Sequence, residues 1–333
     1  MREDSGEWIV DNNGKFKDPF VSIVIPAYNC EKTIGKCLDS LLKLDYPQYE
    51  ILVVDDGSLD RTPDILKSYN NITILRTENK GPSHARNLAV QKAKGDYIAF
   101  TDSDCIVDPN WLQELFKGFV SDKVAGVGGD QQSPDDETPF GKDVQDFMKM
   151  AGIAGDYMKH HETVVNTTHN PTCNVLYKKS VLLETGLFDE KLWPGEDVDI
   201  DLKIKRKGWL LYYNPRALVR HYRPQNPGSF NRMMERYGWA QGYLVRKYGM
   251  FRLIHLEPLV ILFLLAALIL LIIFRQIPVA IVMVCFLFFL LPFAIFLMKT
   301  RSMKKALSYY RFSLLLLWFW NIGMFKGLAG KKR

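Results

Sequence analysis

From Phe20 onward, short apolar runs alternate with loops and helical spacings in quick succession. Residues 20–26 (FVSIVIP), 50–55 (EILVVD), 72–76 (ITILR) and 96–101 (DYIAFT) are rich in β-branched residues, which predicts four strands. Between them Ile34, Leu38, Leu41 and Leu42 keep the spacing of a helix face. Thr62 before Pro63 reads as an N-cap with a first-turn proline, and Pro82 leads into Arg-Asn-Leu-Ala, a second helix start. Strands that are apolar almost throughout and separated by helices predict an α/β fold, with a parallel sheet covered on both faces. Such a sheet holds its ligands at the carboxyl ends of its strands. Further along, helices are expected at 108–119, 179–184 and 198–207, the last two closed by Gly186 and Gly208, with a strand over 124–129. Residues 130–170 show no regular pattern, and 135–137 read as a solvated acidic loop.

The character changes at 224–228. Beyond it the chain is basic and aromatic, then strongly apolar over 258–274 and 277–298. Each run approaches or reaches the ~17 to 25 residues that cross a bilayer, which predicts a C-terminal transmembrane hairpin with Arg275 and Gln276 at its tip. Basic residues flank both ends, so the hairpin predicts a multi-pass protein of the cell membrane with its main domain on the cytoplasmic side. A third apolar stretch, 312–325, contains Asn321 and Gly323 and is expected to lie along the interface as a helix rather than to span. The organisation expected is a polar extension (1–17), an α/β domain (18–228), interfacial helices (229–256), the hairpin (257–298) and a basic tail segment (299–333).

Composition refines this little. The net charge of +6 is modest, and its C-terminal basic cluster, including Lys299, Arg301, Lys304 and Lys305, suits a lipid surface rather than nucleic acid. Five scattered cysteines form no Cys-x-x-Cys pair, so neither a disulfide framework nor a zinc motif is expected. The first twenty residues lack an apolar core, so no secretory signal peptide is expected.

Chemistry concentrates just after the predicted strands. Asp102-Ser103-Asp104 follows DYIAF and offers two carboxylates that can orient a divalent cation against phosphates. A surface turn uses the same letters, but the sheet's ligand edge favours the metal reading. Asp55 and Asp56 form either a turn or, through Asp56, an acceptor of hydrogen bonds from a base or ribose. Tyr28 after the first strand could stack on that base, and Arg86 early in a helix could reach a phosphate or base. Gly195-Glu196-Asp197 opens a helix. Either it caps that helix, or Asp197 is a general base with Glu196 orienting it. Asp201 reads as a solvated helix residue, His160 and His161 as a loop, and His221 as a possible third metal ligand.

These segments, VSIVIPAYN, VVDDGS, GPSHARN, FTDSD, PTCNVLYKKS and GEDVDIDLKIKRKG, occur in the order seen in family 2 glycosyltransferases with the GT-A fold, which the chain resembles over residues 18–222. The resemblance implies a Rossmann-like nucleotide-diphospho-sugar transferase domain and inverting transfer from a UDP- or GDP-linked sugar with Mn²⁺ or Mg²⁺. Pro26, Tyr28, Asp55, Asp56, Arg86, Asp102 and Ser103 would line the nucleotide-sugar site. Asp102, Asp104 and His221 would hold the metal, and Asp197 with Glu196 would be catalytic. Thr172, Asn174 and Trp193 would border the donor sugar or acceptor. The Gln-x-x-Arg-Trp motif of processive synthases is absent, which favours single-sugar addition, and Lys203 stands where many relatives carry Arg.

A basic role for Asp197 suits a hydroxyl of a lipid-linked acceptor, because a polyprenyl phosphate is already ionised; polyprenyl phosphate is the alternative acceptor. A non-catalytic sugar-nucleotide sensor is a further alternative. A dinucleotide oxidoreductase is disfavoured, because Pro26-Ala27-Tyr28-Asn29 stands where its Gly-x-Gly-x-x-Gly turn would be.

Overall fold

The computed structural model describes residues 18–151, 162–256, 277–284 and 290–331, together with 266, 269, 270, 273, 274 and 286. The chain divides into two compact units, one of residues up to 137 with 148–223, the other of 138–147 with 224–333.

The first unit is built on a nine-stranded sheet. Its elements run β1 (Val21–Ala27), α1 (Ile34–Leu41), β2 (Tyr49–Asp55), α2 (Thr62–Lys67), β3 (Thr73–Arg76), α3 (Pro82–Lys92), β4 (Tyr97–Thr101), β5 (Cys105–Val107), α4 (Trp111–Phe116) and β6 (Val124–Gln132). There follow α5 (Pro139–Ala151), which begins in the second unit, β7 (Val165–Thr167), β8 (Asn174–Lys178), α6 (Lys179–Glu184), α7 (Glu196–Arg206) and β9 (Leu210–His221). The strand order is β3-β2-β1-β4-β8-β6-β9-β5, with β7 also paired to β9.

Alternation within β1 shows why its residues, apart from Ser22, are apolar. Ile23 and Ile25 pack with Ile34, Leu38 and Trp111 on one face, while Val24 packs with Leu52, Ala89 and Ile200 on the other. With both faces covered, no position in β1 can be left to solvent.

The expected all-parallel sheet needs correction. Strands β1 to β4 are parallel, but β8 runs antiparallel to both β4 and β6. Strand β8 pairs with β4 and β6, both distant from it along the chain, so no local pattern announces its direction. Strand β9 was hidden for another reason: Pro215 interrupts it, sitting where the register with β6 jumps from Gly129↔Asn214 to Asp130↔Leu218. Proline is tolerated at such an irregularity because no ladder donor is needed there. The stretch expected to be irregular contains α5, and Glu137 of the expected solvated loop is buried, its carboxylate accepting from the Arg223 backbone amide at 2.6 Å. His160 and His161 lie outside the described residues.

The second unit contains α8 (Pro227–Tyr248), α9 (Ile277–Val284), α10 (Leu291–Thr300) and α11 (Met303–Leu328). A capping box starts α8: Asn226 accepts from the Ser229 amide at 3.0 Å, and Ser229 accepts from the Asn226 amide at 3.3 Å. Phe147 meets the rings of Phe230, Phe296, Tyr309 and Phe312.

Helices α8 and α11 touch along glycines one turn apart. A Cβ on Gly238 would stand 2.0 Å from the Trp320 carbonyl oxygen, and one on Gly242 2.2 Å from that of Met324. Reciprocally, a Cβ on Gly323 would stand 1.9 Å from the Glu235 oxygen, and one on Gly327 2.2 Å from that of Trp239. The two Gly-x-x-x-Gly faces therefore let the backbones meet directly.

The stretch 312–325, expected as a helix along the interface, lies within α11, whose glycines Gly323 and Gly327 pack on α8. The hairpin expected at 257–298 lies largely outside the described residues; its described helices, α9 and α10, have 8 and 10 residues. Among the described residues no helix is long and apolar enough to cross a membrane. The expectation of a multi-pass membrane protein with a cytoplasmic catalytic domain is withdrawn on that finding.

Gly323→Ala separates two effects of opposite sign. Helix propensity alone would stabilise by about 1 kcal/mol, whereas the backbone contact predicts a loss of about 1 to 3 kcal/mol. Thermal unfolding of the variant should show the loss.

Candidate active site

Because β1, β2 and β4 are parallel, the residues that follow Ala27, Asp55 and Thr101 emerge at one edge of the sheet. After β2 the chain turns sharply. Asp55 is buried and accepts from the Ser58 amide at 2.9 Å and from Arg76 Nη1 at 3.0 Å. Gly57 has φ 79°, which favours glycine, and a Cβ there would press on the Asn79 amide nitrogen at 3.1 Å.

Asp56 is buried too. Its carboxylate accepts from the Thr77 hydroxyl at 2.5 Å and from the Lys80 and Gly81 amides at 2.8 and 2.7 Å. It therefore pins the 77–81 loop into the edge. Tyr28 stands over this loop, 44% exposed, its hydroxyl 3.4 Å from Asn79 Nδ2. Pro26 is half-buried within β1, in register with Val54.

Strand β9 delivers His221 to the same edge through its pairing with β5, where Cys105 lies opposite His221. Ligand atoms of Asp102, Asp104 and His221 all lie within 4.8 Å of one another. His221 Nε2 is 3.3 Å from Asp104 Oδ1, while Nδ1 faces Gln131 Oε1 at 3.4 Å. Burial works to lower the His221 imidazole, but the Asp104 carboxylate outweighs it and lifts the group to about 10. Two carboxylates and one imidazole nitrogen are a donor set that fits Mn²⁺ or Mg²⁺, so the residues present suit the implied ion. Ser103 lies half-buried between the two carboxylates.

Arg86 does not reach outward, as the sequence suggested it could. It is 2% exposed, and its fork donates from Nη2 to Asp102 Oδ1 at 2.7 Å and from Nη1 to Glu196 Oε1 at 2.8 Å. A planar guanidinium buried this deeply is stabilised only by two such charge-assisted bonds. Glu196 is itself buried, and burial pushes its carboxyl up to about 8, with Arg86 opposing that rise and Asp197 adding to it. Its Oε2 finds no hydrogen-bond partner among the described residues. Thr172 Oγ1 lies 3.5 Å from Glu196 Oε1.

Asp197 is the partly open member of this end of α7, its side chain 21% exposed. Its Oδ1 accepts from the Val198 amide at 2.8 Å, and its Oδ2 is 3.6 Å from His169 Nε2. The other ring nitrogen, Nδ1, is 2.9 Å from Asp201 Oδ2. Asp201 is 1% exposed and also accepts from the Tyr177 hydroxyl at 2.6 Å and the Asn170 amide at 2.7 Å.

Asp201 is thus no solvated residue: one helical turn after Asp197, it shares that residue's face and fixes His169 behind it. That spacing was the available signal. Nothing in the sequence marked His169 or Tyr177. Asn174 also differs from expectation, since it is fully buried. Its Oδ1 accepts from Trp111 Nε1 at 2.8 Å, and its Nδ2 donates to the carbonyls of Asp130 and Ala217 at 2.8 and 2.9 Å. It braces the sheet rather than bordering a ligand. Trp193 is 37% exposed, ahead of a cis bond to Pro194. Lys203 braces α7 internally, 2.8 Å from Asp199 Oδ2.

Arg86→Ala would strand buried carboxylates on both sides, so it is expected to cost about 3 to 5 kcal/mol. Urea unfolding measures this; a loss under about 1 kcal/mol would show that the fork is not what holds Asp102 and Glu196.

Comparison with known proteins agrees with this geometry. The profile of glycosyl transferase family 2 matches residues 22–186. A dolichyl N-acetyl-α-D-glucosaminyl phosphate 3-β-D-2,3-diacetamido-2,3-dideoxy-β-D-glucuronosyltransferase of Methanococcus voltae is 29% identical over 266 residues, 75% of this chain and 81% of that protein. Glycosyltransferase AglE of Haloferax volcanii is 30% identical over 208 residues, 59% of this chain and 64% of that one, so the chain spans less than two thirds of this relative. The solved mannosyltransferase PcManGT of Pyrobaculum calidifontis, in complex with GDP-Man and Mn²⁺, shares the fold with a TM-score of 0.61 at 19% identity, over 95% of this chain and 88% of that one. Residues 22–186 thus match glycosyl transferase family 2, the fold is GT-A-like α/β with a mixed sheet, and the chain is a glycosyltransferase.

Proposed function

We propose that the protein transfers one sugar, with inversion, from a UDP- or GDP-linked donor to a hydroxyl of a lipid-linked acceptor, with Mn²⁺ or Mg²⁺ as cofactor. The observation that carries this reading is the Arg86 fork, which ties the metal-facing Asp102 to Glu196, the neighbour of Asp197. Donor-side and acceptor-side groups are thereby held by one rigid, buried cation. The Methanococcus relative is named for an acceptor that already bears a sugar on a dolichyl phosphate, and PcManGT was solved with GDP-Man and Mn²⁺, which supports the acceptor class, the donor class and the ion.

In this reading Tyr28 stacks on the base, while Asp56 shapes the base pocket through the loop it pins. Asp102, Asp104 and His221 hold the cation, which when bound supplies positive charge beside the departing diphosphate. Asp197 takes the acceptor hydroxyl's proton as that oxygen forms its bond to the anomeric carbon and the bond to the diphosphate breaks on the opposite side. A single displacement inverts the centre. In this reading His169 is the imidazolium, donating Nδ1–H to Asp201 and directing Nε2–H at Asp197 Oδ2, which holds that carboxylate in orientation; 3.6 Å lies just beyond hydrogen-bond length and closes with a small movement. Trp193 and Thr172 border the acceptor and donor sugar.

Nucleoside diphosphate release from a panel of UDP- and GDP-sugars, with a lipid extract as acceptor, tests the reading. Release is expected from one donor, dependent on extract and Mn²⁺ and abolished by chelation. Asp197→Asn should lower kcat by about 10² to 10⁴-fold with nucleotide binding retained, whereas Asp104→Ala should lose metal-dependent binding. Equal turnover in wild type and Asp197→Asn would reject the base. Asp201→Asn frees His169 and should lower kcat with little change in donor KM; a change confined to KM would reject its positioning role.

A further inference from the structure

The metal-facing carboxylate Asp104 is followed by a buried thiol. Cys105 Sγ is 3.9 Å from Asp104 Oδ1, and Cys173, which comes from the loop before β8, brings a second buried thiol. Ligand atoms of Cys105, Cys173 and His221 lie within 4.8 Å of one another. His221 Nε2 is at the same time 3.3 Å from Asp104 Oδ1.

We propose that Asp104, Cys105, Cys173 and His221 form a second, thiophilic metal site that takes Zn²⁺. A tetrahedral zinc ion with two sulfur, one nitrogen and one oxygen ligand sets its ligands about 3.3 to 3.8 Å apart. Separations of 3.3 and 3.9 Å lie close to two edges of that tetrahedron, the two sulfurs and the imidazole contract from within 4.8 Å of one another, and the Asp104 carboxylate turns toward Cys173 to complete the set. His221 has its second nitrogen directed at Gln131 Oε1, the kind of outer partner that fixes an imidazole for metal binding. Entry is through Asp104, whose side chain is 42% exposed.

The site shares Asp104 and His221 with the oxygen-rich position that includes Asp102, so one ion excludes the other. Thiolates favour zinc over manganese, which prefers oxygen donors. Zinc bound here takes two of the three ligands that manganese needs, and transfer stops until zinc is removed. This consequence rests on the transferase reading above; the binding itself does not.

Co²⁺, a spectroscopic probe for zinc, distinguishes the two. Reduced, metal-free wild type titrated with Co²⁺ should show intense tetrahedral bands and a thiolate-to-cobalt charge-transfer band at one equivalent. Zn²⁺ should abolish both at one equivalent, and Mn²⁺ at the same concentration should not. Asp102→Asn should keep the charge-transfer band at full intensity, and Cys173→Ser, with Cys105 as the one thiolate left, should weaken it markedly. A weak six-coordinate spectrum without the sulfur band in folded wild type overturns the proposal, and that reading needs no variant to fold. In the transfer assay, Cys173→Ser should raise the Zn²⁺ concentration for half-inhibition by about tenfold or more; equal inhibition in both proteins overturns the exclusion of manganese. Absence of any transfer would count against the transferase reading and leave the cobalt spectrum to decide the site.

Discussion

A guanidinium taken out of water must find carboxylates placed for its fork, and the first unit is organised around one such placement. Arg86 sits in α3, Asp102 follows β4, and Glu196 opens α7, so the two bonds of Arg86 join three elements far apart in the chain. The cost of burying the charge is offset only while both partners hold position. The fork therefore makes the strand edge rigid where a cation and an acceptor would meet. Around it the other carboxylates divide their labour by exposure. Asp55 and Asp56 are spent on backbone amides and on Arg76, Asp201 on His169, Tyr177 and an amide, whereas Asp104 and Asp197 keep an open side. Reactive and structural acids of the same residue type are thus distinguished by how many donors the fold has already aimed at them.

The second unit depends on a contact of a different kind. Where α8 and α11 cross, four glycines remove side chains from the seam, so carbonyl oxygens of each helix rest on the Cα positions of the other. Apolar character around that seam, including Trp320 and Met324, is used for packing between helices. On the same helix Leu314 and Trp318 stay exposed, so an apolar run there holds packed and open positions side by side, and hydropathy alone does not tell them apart.

The carbonyl oxygens and amides that hold Asp56, and the rings that meet at Phe147, illustrate which parts of this protein were legible in advance. Strands β1, β2 and β4 were readable because both faces of each are covered, which forces a nearly unbroken apolar run, whereas β3, largely exposed, was readable only from its β-branched residues. Tyr28, Asp102 and Asp104 were readable because parallel strands end together, so residues just past each strand share an edge. Strands β8 and β9 were not, since one pairs antiparallel with strands distant along the chain and the other carries Pro215 at an irregular register. Roles diverged for the same reason. Arg86 and Asn174 have the residue types of ligand-binding groups, yet the fold turns Arg86 onto Asp102 and Glu196, and Asn174 onto Trp111 and two carbonyls.

What the sequence determined by itself is the family of the first unit, its strand–helix alternation and the acidic residues at its ligand edge, because each is encoded in neighbours along the chain. Tertiary structure alone decided which residues meet across the chain. It set His221 against Asp104 through the β5–β9 register, brought Cys173 to Cys105, placed His169 between Asp197 and Asp201, and turned Arg86 inward. The physical reason is that a spacing in sequence fixes geometry only within one strand or one helix. Distances between elements are set by sheet register and by packing, and these depend on the whole core at once.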